Sequence, residues 1–251
     1  MRPFRILATC GVLLLLPLAA CDAKPMAASP SKTPTPSRGP ASPVMRKPAL
    51  GIGEPRIPQP FTIEQRLLDA VSRGDRQTIE RALEHGASIS AKDDLKRSTV
   101  LLAVLDAGDL ELVRWLHVKG AALDDPDVGG RTALSFAAAN GRLDIVRYLV
   151  ENGAAVDRAD LQRRTPLFHA ATGNHAGVMA FLLDRGADAN AHDQFGDTPL
   201  IIACSKGNGE AAALLLQRGA DPSLKDQEGR TARQRAETGT AACTTPAPTT
   251  P

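Results

Sequence analysis

A 33-residue period governs most of this chain. Thr occupies positions 99, 132, 165, 198 and 231, each 33 residues after the last. Gly occupies 86, 120, 153, 186 and 219, at intervals of 34, 33, 33 and 33, and Ala follows each of them. A third series, Gly74, Gly108, Gly141, Asn174 and Gly207, runs in phase with both. Such self-similarity points away from one globular core. It points to a stack of similar units, each burying its apolar face against its neighbours. Aromatic residues make up only 3% of the chain, so small and aliphatic side chains must fill the interior.

Each unit has a local physical reading. Thr165-Pro166-Leu167 and Thr198-Pro199-Leu200 place an N-capping hydroxyl before Pro at the first helical position. Small residues follow, as in Ala137-Ala138-Ala139 and Ala170-Ala171, and let neighbouring helices approach closely. Gly141 or its equivalent ends this first helix in the left-handed conformation, and Asn174 serves in its place once. A second helix carries apolar residues at i, i+3 and i+4, as in Leu143, Val146, Leu149 and Val150, or Leu112, Trp115 and Leu116. It stops at Gly-Ala, and a polar turn such as Ala187–Asp193 leads to the next Thr. The first such turn, Asp93 to Ser98, reads as one residue longer than the rest. Trp115 and Tyr148 fall at equivalent places and are expected to pack between units.

This pattern resembles the ankyrin-repeat family over residues 61–240. The resemblance implies an all-α repeat solenoid, an ankyrin-like stack of helix-turn-helix units with turn or β-hairpin-like fingers. It divides into an N-terminal cap at about 61–93, four full repeats beginning near Asp94, Asp127, Asp160 and Asp193, and a truncated C-terminal cap from Asp226. No unit keeps the His of the family's Thr-Pro-Leu-His, the equivalent places being Leu102, Ser135, Phe168, Ile201 and Gln234. Turn rigidity is therefore in question, whereas the helical pattern is intact.

The N-terminus reads as an address. Arg2 and Arg5 precede a short apolar run from Ile6 to Ala20, the layout of a secretory signal. Gly11 and Pro17 interrupt the run, which is too short to span a membrane comfortably. It closes on Leu18-Ala19-Ala20-Cys21, which resembles a bacterial lipobox, with residues 1–20 as signal peptide and Cys21 as the lipid-bearing residue. Residues 21–60 read as a Pro-rich tether, since ten of the 39 residues from Asp22 to Pro60 are Pro and nothing periodic appears. Residues 241–251 read as a disordered tail. The lipobox resemblance implies a periplasm-facing lipoprotein of the bacterial envelope, on either membrane.

Residues that could carry chemistry do not converge. His85, His117, His169, His175 and His192 lack zinc-binding spacing. Asp124-Asp125-Pro126-Asp127 lacks the alternating oxygens and closing Glu of a calcium loop. Gly51-Ile52-Gly53 is no phosphate loop, and there is no Gly-x-Ser-x-Gly elbow. No catalytic residue, metal or cofactor is therefore expected. Cys204 and Cys243 would form a disulfide in an oxidising compartment. Cys204 also falls where other units carry Ala or Leu, so a buried free thiol is the alternative.

The resemblance implies protein binding through turn tips and first-helix ends. Its tip positions here are Lys96, Ser98, Val128, Arg131, Leu161, Gln162, Arg164, Gln194, Phe195, Asp197, Gln227, Glu228 and Arg230. Its helix-end positions are Asp106, Asn140, Thr172, Ser205 and Lys206. Arg131, Arg164 and Arg230 share one repeat position and are expected to form a basic stripe facing an acidic partner. The functional expectation is a non-catalytic module that binds or inhibits a periplasmic protein. The alternative is an envelope-stress accessory supporting an enzyme such as a catalase. Neither nucleic acid nor a small-molecule substrate is expected, and the array should be monomeric.

Overall fold

The computed structural model describes residues 61–236 and Cys243. The expected signal peptide (1–20), Cys21 and tether (21–60) lie outside the described residues, as does the tail apart from Cys243.

Among the described residues eleven α-helices follow one another and there is no strand, only two antiparallel bridges, Lys92 with Ser98 and Lys225 with Thr231. The first pair is α1 (Ile63–Arg73) and α2 (Arg76–Glu84). Next come α3 (Thr99–Leu102), running into a π-helical turn at Ala103–Ala107, and α4 (Leu110–Val118). Three regular pairs follow: α5 (Ala133–Ala139) with α6 (Leu143–Glu151), α7 (Pro166–Thr172) with α8 (Ala176–Asp184), and α9 (Pro199–Ser205) with α10 (Gly209–Gln217). The short α11 (Ala232–Arg235) ends the array.

The first helices start where their hydroxyls can cap them. The side chains of Thr132, Thr165 and Thr198 accept from the N–H three residues on, and Thr62 and Thr231 form capping boxes with Gln65 and Gln234. Gly141 (φ 68°) and Asn174 (φ 56°) turn the chain at the far end. A Cβ at Gly141 would lie 2.5 Å from His175 Nδ1, because His175 reaches back to donate from Nε2 to the Ala139 carbonyl at 2.9 Å. One unit on, Asn208 caps the carbonyls of Ala171 and Thr172 in the same way. These long-range bonds add partners for helix-end carbonyls, of which Ala171 also accepts from the Asn174 N–H.

The second unit corrects the expected register. Its N-cap is Ser98, not Thr99: Ser98 Oγ accepts from the Leu101 N–H, and Thr99 Oγ1 instead donates to the Ile89 carbonyl. The turn Asp93–Ser98 therefore has the ordinary length, and the extra residue is absorbed inside the helix as the π turn. The place of the missing His is then Leu101 rather than Leu102.

Packing follows the small-residue logic. Ala137, Ala138, Ala170, Ala171, Ala203 and Cys204 are fully buried, and so are Leu112, Leu116, Ile145, Leu149, Met179, Leu182 and Leu215 of the second helices. Trp115 and Tyr148 are half-buried against this core, and Tyr148 Oη bridges units through His117 Nδ1 at 2.8 Å. Cys204 and Cys243 form a disulfide with Cα atoms 5.8 Å apart, so one residue of the expected tail is pinned to α9. No helix among the described residues is long and apolar enough to cross a membrane.

Candidate functional site

Five fingers project between successive units, each opening on an Asp: Asp93, Asp127, Asp160, Asp193 and Asp226. In every finger Asp Oδ1 accepts from the N–H groups of the third and fifth residues, at 2.8–3.0 Å. The fourth residue is left-handed: Lys96, Gly130, Arg163, Gly196 and Gly229. This Asx-type folding explains why an acidic residue is needed at the first position. Adjacent fingers are joined by one backbone bond each. Val128, Leu161, Gln194 and Gln227 donate to the carbonyls of Leu95, Gly129, Gln162 and Phe195, at 2.8–2.9 Å. The approach is close enough that a Cβ on Gly130 would meet the Leu161 nitrogen at 2.9 Å.

The Arg residues expected to form a basic stripe each hold the fifth position of a finger, Asp197 takes that position on the fourth finger, and each Arg is paired within the chain. Arg131 Nη2 lies 3.0 Å from buried Asp127 Oδ2, and its guanidinium stacks on Phe136 at 4.3 Å. Arg164 lies 3.5 Å from buried Asp193 and over Phe168. Arg230 holds Asp226 at 3.1 Å and Glu228 at 2.8 Å. Arg97, at the same position in the first finger, pairs with Asp93 at 2.6 Å. Burial pushes the Asp226 carboxyl up, but the backbone and guanidinium bonds from Arg230 outweigh it and hold the group below its ordinary range. These cations clamp the fingers, which leaves little free positive charge for an acidic partner.

In two units the position after that of the missing His supplies a partner for the finger Asp. His169 Nε2 meets Asp160 Oδ2 at 3.1 Å. At the equivalent place in the last unit, Arg235 reaches Asp226 at 2.9 Å and Asp197 at 3.2 Å.

The fingertips themselves are apolar. Leu95, Val128, Leu161 and Phe195 are 50%, 49%, 74% and 52% exposed, one on each of the first four fingers. Gln227 and Glu228 are exposed on the fifth, and Lys96, Gln162 and Gln194 flank the apolar residues. Two expected tip residues are instead buried: Ser98, whose hydroxyl caps α3, and Asp197, which lies at the base of the fourth finger. Neither projects as a tip contact.

At the helix ends Asp106, Asn140, Thr172 and Lys206 are exposed and Ser205 is half-buried. Asn140, Thr172 and Ser205 also bond carbonyls of their own helices. Leu95 is absent from the sequence reading. Its signal was present: once Asp93 is aligned with Asp193, Leu95 falls at the position of Phe195.

A family model of ankyrin repeats, in three copies, matches residues 67–160 and 155–226. The chain belongs to the ankyrin-repeat family. Comparison with curated proteins gives no match. Ankyrin repeats make this an all-helical array of a kind that works by holding other proteins and is typically non-catalytic. Among the described residues, no group of three or more His, Cys, Asp or Glu side chains is placed to hold a metal ion.

Proposed function

We propose that the protein is a non-catalytic binding module, tethered through lipid on Cys21 to the bacterial envelope, that holds or inhibits a partner protein in the periplasm. The observation that carries the binding surface is the exposed apolar line Leu95, Val128, Leu161 and Phe195. The line sits on fingers each folded by hydrogen bonds to an Asp carboxylate, so little entropy is lost when a partner covers it. Polar neighbours Lys96, Gln162, Gln194 and Gln227 would form the rim. The residues at the helix ends, Asp106, Asn140, Thr172 and Lys206, extend the same surface.

The envelope reading rests on the two Arg, the apolar run and Cys21 of the leader. The Cys204–Cys243 disulfide supports it, since such bonds persist in oxidising compartments. In this reading residues 21–60 are the tether and the array from 61 onward is the working part.

The test is photo-crosslinking of the full-length protein in intact cells, with the crosslinker at Leu161, at Phe195 or at Val118. Val118 is 82% exposed and lies on the second helix α4 rather than on a finger. One adduct shared by the two finger positions and missing at Val118 is the expected result. Identical adducts at all three positions would sink the finger assignment. Incorporation of labelled palmitate should vanish in Cys21→Ala; incorporation that persists would remove the anchor from the reading.

A further inference from the structure

The fourth finger breaks the rule the others keep. Fingers one, two, three and five carry Arg at the fifth position, each paired with a finger Asp: Arg97, Arg131 and Arg230 with their own, Arg164 with Asp193 of the next finger. The fourth carries Asp197 instead, only 7% exposed. Four carboxylates meet around it: Asp193, Asp197, Asp226 and Glu228. Three guanidinium groups face them. Arg164 approaches Asp193, Arg230 holds Asp226 and Glu228, and Arg235 divides itself between Asp226 and Asp197. The cluster is one positive charge short. Asp197 Oδ2 is taken by Arg235, whereas Oδ1 is buried and has no hydrogen-bond partner. Leaving a charged acceptor buried and unpaired is costly.

Four of these residues, Asp197, Asp226, Glu228 and Arg235, border with Phe195 and Gln227 an opening of about 240 Å³ between the fourth and fifth fingers. At about 30 Å³ per water, that is roomy enough for the head of a long side chain. Its aromatic wall is also unused. Elsewhere the chain sets its own cations on its rings: Arg131 on Phe136, Arg164 on Phe168, Arg147 and Arg185 on Phe181, and Arg114 on Tyr148, at 4.3–5.5 Å. Among the described residues no such pairing involves Phe195, which is half exposed. A cation on that ring would gain the face of the aromatic and the nearby carboxylates together. The acidic side chains are not grouped to hold a metal ion, so the matching ligand is an organic cation.

We propose that the cleft between the fourth and fifth fingers receives an Arg side chain of the partner, stacked on Phe195 and paired with Asp197 and Glu228. A planar guanidinium serves both functions at once, which an ammonium does less well. This names the chemistry of the partner within the protein-binding reading above and rests on it. It reverses the sign expected from the basic stripe: here the array presents acid and the partner presents base.

The test uses the whole mature chain and needs no partner. Amide shifts are followed by NMR while acetyl-Gly-Arg-Gly-amide is added, with the citrulline peptide as an uncharged isostere. Saturable shifts centred on Phe195, Gln227 and Glu228 are expected, about ten-fold weaker for citrulline. They should be lost in Phe195→Ala, whose exposed side chain is dispensable for folding. They should also be lost in Asp197→Arg, which restores the residue the other fingers carry. No saturable shifts, equal binding of citrulline, or binding that survives Phe195→Ala each overturn the proposal. Arg-peptide binding with no finger-specific crosslink in cells would instead leave the cleft standing and count against the partner reading.

Discussion

A single carboxylate folds each finger. Asp160 Oδ1 accepts the Gln162 and Arg164 N–H groups, and Oδ2 meets His169. Replacing it with Ala leaves two backbone donors without their acceptor. We expect Asp160→Ala to cost about 3 kcal/mol in urea unfolding, and a loss under about 1 kcal/mol would refute the role given to the Asp. His169 supplies a pH signature. Burial lowers its affinity for a proton, Asp160 opposes this, and Arg164 and Arg131 add to the lowering. A His depressed below its ordinary 6.5 binds fewer protons folded than unfolded. Its contribution is therefore complete above 6.5 and is lost as pH falls through that value towards the folded one. Tm should drop as the pH is lowered through that range, and His169→Gln should flatten the drop; an unchanged slope would contradict it. The lowered carboxylates Asp75, Asp221 and Asp226 lose their contribution only below their ordinary 3.8, outside this window. Asp157 and Asp197, raised by burial, act in the opposite sense, their cost setting in as pH rises above the ordinary 3.8.

Helix boundaries were mostly legible because they rest on local chemistry. Thr with Pro opens α7 and α9, and Gly or Asn in the left-handed region closes the first helices. The second unit misled because Thr99 keeps the 33-residue spacing while Ser98, one residue earlier, does the capping. Nothing local distinguishes a long turn from a wide helical turn, as the difference lies in which carbonyl an N–H chooses. The Arg series was equally visible and equally misread. Its position was plain, but its neutralisation depends on buried Asp carboxylates that only the folded fingers bring together. The π turn yields a contrast between two deletions. Removing Ala107 should let Ala103–Ala107 relax towards an ordinary α-helix, with a change within about 1 kcal/mol. Removing Ala138 from the regular α5 should cost several times more, since every buried contact beyond it rotates. Equal penalties in urea unfolding would mean the extra residue is not stored in that turn.

Across the whole array, stability passes from neighbour to neighbour, so a staple at one end acts mainly there. The disulfide closes a separation of 39 residues onto α9. Chain-entropy reasoning places the loss in Cys243→Ser at up to about 4 kcal/mol. Hydrogen exchange should quicken first in α9 to α11 and leave α5 and α6 nearly unchanged. Uniform acceleration from α1 onward would show instead a single cooperative block. The array also carries a slight excess of acidic over basic residues, 26 against 22 from Phe61 to the end. That balance suits a basic partner more than the acidic one that the Arg series suggests when read alone.

The wide turn at Ala103–Ala107 separates two kinds of frame. Counted along the chain, everything before it is out of step by one residue with everything after. Counted along the surface, nothing slips, because Leu95 still accepts the bond from Val128 that Leu161 and Gln227 repeat farther on. An insertion taken up within a helix leaves the outward-facing text unaltered. Such an array can gain or lose single residues in its helices over generations while a bound protein continues to read the same line of fingertips.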